Sequence, residues 1–184
     1  MYPLKGRMTK KIAYKDFTIK AKVADFSSIE NALQNLNPTF VGIDRQKDTY
    51  FKVPKGKLKL RQGTIENLIT KYERVDVEGV EKTTVYQYDL NPTEEQISKI
   101  FREHEVIGII EKERKIYFLG NIKIHLDKTR GDKTFIEIEA IDADDSKSAE
   151  ELRRQCLGMK EKLGILDSQL TKTGYLSADA TDQA

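Results

Sequence analysis

Apolar and polar residues alternate along most of this chain with the period of two that belongs to a β-strand, and helical spacing interrupts the alternation at three places. The first strand, residues 13–23, puts Ile19, Ala21 and Val23 on one face and Asp16, Thr18, Lys20 and Lys22 on the other. Ser27, three residues before Glu30, predicts a capping box and a helix with the stripe Ile29, Ala32, Leu33 and Leu36, ended by Pro38. Two short strands follow, 40–44 and 48–53, then a Pro54-Lys55-Gly56 turn. The next strand sets Lys57, Lys59 and Arg61 against Leu58 and Leu60. Residues 68–75 and 83–90 read as a hairpin around Glu78-Gly79, and Asn91, Pro92 and Glu94 open a second helix whose core face is Ile97, Ile100 and Phe101.

Segments 106–112 and 113–118 make one or two strands that place Lys112 and Arg114 on a common face. The strand after them sets Lys123, His125 and Asp127 against Ile122, Ile124 and Leu126. Beyond a turn at 129–133, residues 134–141 carry Glu137 and Glu139 on one side and Ile136, Ile138 and Ala140 on the other. Ser148 and Glu151 cap a third helix with the stripe Ala149, Leu152, Cys156, Met159 and Leu163, which Gly164 stops.

These elements predict an α+β fold, a closed or nearly closed eight-stranded antiparallel β-barrel with the helices packed outside. Closure matters because a strand buried on both faces has no cheap place for two carboxylates unless cations or a metal neutralise them. In a barrel, Lys20, Lys22, Lys57, Lys59, Arg61, Lys112, Arg114 and Lys123 all face inward, toward Glu137 and Glu139, and the interior suits a polyanion with metal. In an open sheet the same cationic faces simply meet water.

Composition narrows the setting. A chain of 184 residues with 38% hydrophobic content suits one domain with one substantial core. The 32 Lys and Arg against 30 Asp and Glu leave a net charge of +2, which gives no bulk argument for nucleic acid. A single cysteine, Cys156, excludes an intrachain disulfide and fits a reducing, cytoplasmic compartment. The longest apolar runs are too short to span a bilayer, so no membrane partner is expected; a homodimer is left open. Residues 1–12, with Lys5, Arg7, Lys10 and Lys11, read as a basic flexible arm, 13–176 as the single domain, and 177–184 as a flexible tail. Gly56-Lys57 lacks the preceding glycine and following Ser or Thr of a P-loop. His125 beside Asp127 reads as a hydrogen-bonded barrel histidine, and Tyr50, Tyr72, Tyr86 and Tyr88 as cross-strand packing.

Taken in order and spacing, Lys20, Asp48-Thr49-Tyr50-Phe51, Gly56-Lys57-Leu58-Lys59-Leu60-Arg61, Leu68-Ile69 with Tyr72 and Arg74, Lys112 with Arg114, His125-Leu126-Asp127 and Phe135-Ile136-Glu137-Ile138-Glu139 resemble the CYTH superfamily. This is the triphosphate-tunnel fold of class IV adenylate cyclases and thiamine triphosphatases, and the likeness is greatest to the class IV cyclase branch. The resemblance implies a phosphate grip made of Lys20, Lys22, Lys57, Lys59, Arg61, Arg74, Lys112, Arg114 and Lys123. It also implies a Mg²⁺ or Mn²⁺ site at Asp16, Asp127, Glu137 and Glu139, with Lys20, Arg114 and Glu137 nearest the chemistry. The family's Glu-x-Glu-x-Lys appears here as Asp16-Phe17-Thr18-Ile19-Lys20, with a neutral hydroxyl in place of the second carboxylate. Two functional classes follow. One is a metal-dependent enzyme acting on a small triphosphate, either a cyclase converting ATP to cyclic AMP and pyrophosphate or a hydrolase of inorganic, thiamine or nucleoside triphosphate. The other is a catalytically weak tunnel that binds nucleotide or polyphosphate.

Overall fold

On the strands Tyr14–Val23, Lys57–Gln62, Ile122–Thr129 and Thr134–Asp142, inward-facing charges alternate with outward-facing aliphatic residues, and the architecture follows from giving each set a place. In the computed structural model, which describes residues 13–175, one nine-stranded antiparallel sheet curls into a barrel. The elements in order are β1 (Tyr14–Val23), α1 (Ser27–Gln34), β2 (Thr39–Phe51), β3 (Lys57–Gln62), β4 (Asn67–Val77), β5 (Val80–Leu90), α2 (Glu94–Glu103), β6 (Val106–Leu119), β7 (Ile122–Thr129), β8 (Thr134–Asp142), α3 (Ala149–Lys162) and β9 (Leu170–Thr171). Strands run β5-β4-β3-β2-β6-β7-β8-β1, and β5 pairs with β1 to close the ring. The ring has eight strands, as the alternation predicts. Residues 1–12 and 177–184, read from sequence as a basic arm and a tail, lie outside the described residues.

Pairing on β1 is divided. Its first half, Tyr14 to Thr18, bonds to β5, and Lys20 and Ala21 on the same edge bond to the short β9, while β8 runs along the whole opposite edge. Sequence reading had no signal for β9, because two residues carry no alternation.

The apolar core lies outside the barrel wall. Phe17, Ile19 and Ala21 of β1, Ile124 and Leu126 of β7, and Ile136, Ile138 and Ala140 of β8 turn outward and are covered by Ile29 and Leu33 of α1 and Leu152, Cys156 and Met159 of α3. A second cluster buries Phe51, Leu58, Leu60 and Ile69 beneath Ile100 of α2. Removing this apolar area from water is what holds the helices against the wall. No helix among the described residues is long and apolar enough to cross a membrane.

Several local expectations are corrected. The two short strands expected at 40–53 are one strand, β2, paired with β6 through Asp44↔Arg114, Arg45↔Glu113, Gln46↔Lys112 and Lys47↔Glu111. The polar run that resembles a turn is the continuation of the alternation, with Asp44, Gln46 and Asp48 buried inside and Arg45 and Lys47 in water. Residues 106–119, expected as one or two strands, form one. Helix α1 has no capping box: Ser27 N donates to Asp25 Oδ1 at 2.8 Å, and Glu30 instead takes Lys115 Nζ at 2.5 Å. In α2 the cap is Thr93, whose hydroxyl accepts from Gln96 N while Gln96 Oε1 accepts from Thr93 N, so the box lies two residues beyond Asn91. The third helix keeps its Ser148 cap, and Gly164 follows it at φ +68, the left-handed conformation that favours glycine. Ala149, placed on its apolar stripe, is exposed.

Leu152 is fully buried where α3 meets β1 and β8. Leu152→Ala is expected to cost about 3 kcal/mol of stability through lost burial and a residual cavity. Urea unfolding checks this through a lowered midpoint at unchanged slope; a loss below about 1 kcal/mol would mean that α3 is not anchored there.

Candidate functional site

Inside the wall lies a cavity of about 340 Å³. Alternation delivers its cations from four strands: Lys59 and Arg61 from β3, Arg74 from β4, Lys112 and Arg114 from β6, and Lys123 from β7. Asp48 is their hub. Arg61 donates to it through Nε and Nη2, both at 2.8 Å, and Lys112 Nζ donates at 2.7 Å, with Lys59 Nζ at 3.8 Å. Burial alone would raise the Asp48 carboxyl, but the charges of Arg61, Lys112 and Lys59 hold it well below the usual range. Burial lowers the Lys59 and Lys112 ammonium groups, and the neighbouring Arg61 adds to it.

Glu66 completes this side from the loop after β3. It accepts from Arg61 Nη1 at 2.9 Å and pairs with Lys123. The loop is pinned by the fully buried Asp44, which accepts from Gln46 Nε2, Thr64 Oγ1 and the Ile65 and Glu66 amides. A Cβ at Gly63 would fall 2.5 Å from Asp44 Oδ1 and 2.7 Å from Glu66 O, so only glycine lets the loop close this tightly.

On the other side of the cavity β8 presents Glu137 and Glu139, with His125 between them: Nδ1 lies 3.5 Å from Glu137 Oε2 and Nε2 3.8 Å from Glu139 Oε2. Neither ring nitrogen has a hydrogen-bond partner in the protein. Burial, Arg114 and Lys123 lower the imidazole's pKa. For Glu137, burial works upward, but the facing imidazole, Arg114 and Lys20 hold it well below the usual range. Asp16 behaves oppositely. Burial and the negative charge of the neighbouring Glu139 push its carboxyl well up. Thr18 Oγ1 donates to Asp16 Oδ1 at 2.8 Å, so this hydroxyl is already engaged by Asp16.

The nine expected grip cations divide. Lys59, Arg61, Arg74, Lys112, Arg114 and Lys123 line the cavity; Lys20, Lys22 and Lys57 do not. Lys22 is exposed where β1 leaves the barrel, a correction to its inward placement. Of the expected metal-binding acids, Asp16, Glu137 and Glu139 line the cavity, whereas Asp127 does not and is fully buried behind it. Arg114 Nε and Nη2 donate to the two Asp127 oxygens at 2.6 Å each, so that carboxylate is already committed. Among the described residues no three His, Cys, Asp or Glu side chains converge as a ready metal cage. Two oxygen acids, Glu137 and Glu139, are the donors available to a hard cation, which ordinarily completes its shell with water and phosphate oxygens.

Sequence reading missed Asp48, Glu66 and Tyr175 as site residues. Asp44, Gln46 and Asp48 share the two-residue spacing that marks an inward face, and reading β2 as one strand exposes it. Glu66 sits on a loop and has no such signal. Tyr175 lines the cavity, on the side where Lys20 and Asp127 lie. Its hydroxyl donates to Asp127 Oδ2, and its ring centroid lies 3.2 Å from Lys20 Nζ.

Comparison with known proteins places these observations in a family. The CYTH domain model matches residues 17–175. Among solved structures, the PH1012 protein of Pyrococcus horikoshii is similar at 25% identity and TM-score 0.74, covering 88% of this chain and 98% of that one. A proposed adenylate cyclase of Vibrio parahaemolyticus shares the fold at 17% identity and TM-score 0.68, covering 92% and 99%. A proposed adenylyl cyclase of Hippeastrum, described as having a dominant triphosphatase activity, shares it at 15% identity and TM-score 0.57, covering 91% and 95%. Comparison with curated protein sequences gives no match.

The Asp16–Glu139 pair yields a test of sign. A folded-state pKa raised above the unfolded value lends stability below the unfolded value and loses it as pH rises through the folded one. Asn at this position can donate to Glu139 and accept from Thr18 without taking up a proton. Asp16→Asn is therefore expected to melt a few degrees above the wild type at neutral pH, with the gap narrowing toward the ordinary carboxylate range. Calorimetry across pH checks this, and a lower melting temperature for the variant at neutral pH refutes it.

Proposed function

The chain belongs to the CYTH domain family, and from that premise we propose that its tunnel holds the phosphates of a small triphosphate and promotes attack on one of its phosphorus atoms. The observation that carries this reading is the convergence of six cations, from four strands, on one cavity of about 340 Å³ that also presents two acids on a single strand. Water-excluded cations act on phosphate far more strongly than surface ones, because the competing solvent is gone.

The cations are not equally free. Arg61 and Lys112 are held by Asp48, and Arg114 by Asp127, so these three act as fixed walls of positive charge. Arg74 donates through Nε to the neutral Thr83 hydroxyl at 3.2 Å and lies over the Tyr72 ring at 4.9 Å. Lys59 is 3.8 Å from its nearest carboxylate. Arg74 and Lys59 are therefore the donors that an entering phosphate engages first, the guanidinium by a planar fork and the ammonium as a point charge. Glu137 and Glu139 would hold Mg²⁺ or Mn²⁺, which when bound neutralises phosphate charge and polarises the phosphoryl oxygens. Residues of this chain position the phosphates and stabilise charge, and the nucleophile comes from water or the substrate.

Two outcomes fit such a site: water attacking the terminal phosphorus with release of phosphate, or a ribose hydroxyl attacking the α-phosphorus with release of pyrophosphate. We favour hydrolysis, because the side lined by Tyr175 brings an entering terminal phosphate toward Lys112 and Arg114. A second reading, a tunnel that binds nucleotide or polyphosphate with little turnover, is favoured by the Asp16 carboxyl being pushed well up by burial and Glu139, and by no three His, Cys, Asp or Glu side chains converging among the described residues. A reducing, cytoplasmic setting is proposed from the lone, buried Cys156.

Tripolyphosphate is expected to raise the melting temperature more than pyrophosphate, and pyrophosphate more than phosphate, by mass action on the folded state. Lys59→Ala and Arg74→Ala should each weaken tripolyphosphate binding by about tenfold, since a charge-assisted contact in a dry site is worth roughly 1.5–3 kcal/mol. Equal shifts for ATP and AMP would sink the reading. Turnover of inorganic triphosphate, ATP, GTP and thiamine triphosphate with saturating Mn²⁺, resolving phosphate from pyrophosphate, separates hydrolase, cyclase and binder.

A further inference from the structure

We propose that Tyr175 sets how far a phosphate chain can enter: its ring is the floor of the tunnel, and Lys20 and Asp127 are its anchors. The inference rests on the tunnel reading above and adds to it a residue that determines substrate length. Its basis is the division of the barrel interior. Lys20 and Asp127 point into the barrel yet line none of the cavity, because Tyr175 stands between.

Contacts on several sides fix the ring, among them Phe135 edge-on at 5.5 Å between centroids and Lys112 Nζ at 5.2 Å. Its hydroxyl donates to Asp127, which Arg114 also clamps through both oxygens. Its negative face carries the Lys20 ammonium at 3.2 Å, and Lys20 Nζ donates to the Gly174 carbonyl at 3.4 Å. The backbone reaches this position only because residue 174 is glycine: φ is +88, and a Cβ would fall 3.0 Å from Lys57 Nζ and 3.8 Å from Arg74 Nη1. A phosphate arriving from the mouth therefore meets an aromatic face with its single donor already used. Beyond that face Lys20 and Lys57 hold positive charge that the cavity does not reach. The floor keeps them out of the grip, so a chain longer than the cavity has nothing further to bind.

Binding of tripolyphosphate and of a long linear polyphosphate, measured by calorimetry, tests the floor. In the wild type the two are expected to bind alike, each through one chain end. Tyr175→Ala and Tyr175→Ser open the floor and should tighten the long chain by about tenfold relative to tripolyphosphate measured on the same variant, because only the long chain reaches the further ammonium groups. Tyr175→Phe keeps the ring and should behave as the wild type. Adding Lys20→Met to Tyr175→Ala should remove the gain. No gain in either ring-deleted variant, with melting confirming the fold, overturns the proposal, as does a long-chain preference already present in the wild type. A second measurement needs no ligand: acetylation of Lys20 by a small water-soluble reagent should be slow in the wild type and fast in Tyr175→Ala, and equal rates overturn the floor. If tripolyphosphate fails to bind the wild type, the triphosphate function falls, and the acetylation rates alone decide the floor.

Discussion

A barrel whose interior is ionic can form only if each buried charge has a counter-charge within reach, and that constraint governs most of what is described above. Asp48 and Asp127 meet it most directly. Each takes an arginine through both carboxylate oxygens, Arg61 in one case and Arg114 in the other, at 2.6–2.8 Å. Without those acids the two guanidinium groups would be desolvated with only a single contact each, Glu66 for Arg61 at 2.9 Å and Glu137 for Arg114 at 3.7 Å, which costs far more than the pair contributes. The acids thus fix the orientation of the arginines before any ligand arrives, a preorganisation that flexible surface cations lack. The same constraint explains why the apolar core lies between the wall and the helices: the interior is occupied by charge, so burial of hydrocarbon must happen on the outside of the strands.

The two ends of the cavity are built on different chemistry. One wall is rich in fixed cations gathered around Asp48. The other holds Glu137 and Glu139 about an imidazole whose pKa burial lowers, with Asp16, its carboxyl pushed well up, beside them. Negative charge is tolerated at β8 only to the extent that Arg114, Lys20 and Lys123 offset it, and the carboxyl of the third acid, Asp16, is pushed well up. The six cations that line the cavity outnumber Asp48, Glu66, Glu137 and Glu139, so the interior stays positive, and the field an anion meets on entering depends on which pairs it can exchange with.

The barrel, its antiparallel order and the inward faces were legible from the sequence because a period of two leaves no ambiguity once both faces are populated. Lys59, Arg61, Lys112, Arg114, Glu137 and Glu139 sit where alternation puts them. The illegible parts are those in which local pattern and tertiary pairing diverge. Arg45-Gln46-Lys47 has the composition of a turn and is a strand because β6 pairs with it along its length. Lys22 obeys the alternation but lies past the end of the barrel, and alternation does not encode where a wall stops. Glu66 and Tyr175 reach the interior from a loop and from a segment after the last helix, where no periodicity exists to read.

The divided edge of β1 also governs the order in which the molecule can be made. Hairpins such as β4–β5 join neighbours in the chain and can form as soon as both strands exist. Strand β1, at the start, must wait for Thr134–Asp142 to hydrogen-bond its whole length, as in the pairing of Phe17 with Ala140, and then for Leu170–Thr171 to cover the rest of its edge. Contacts this distant in sequence slow folding, since loop closure precedes any reward from pairing. During synthesis on the ribosome β1 emerges first and is the last strand to be satisfied. Its outward face of Phe17, Ile19 and Ala21 is the hydrocarbon that a nascent chain exposes longest, and so the segment a chaperone would meet.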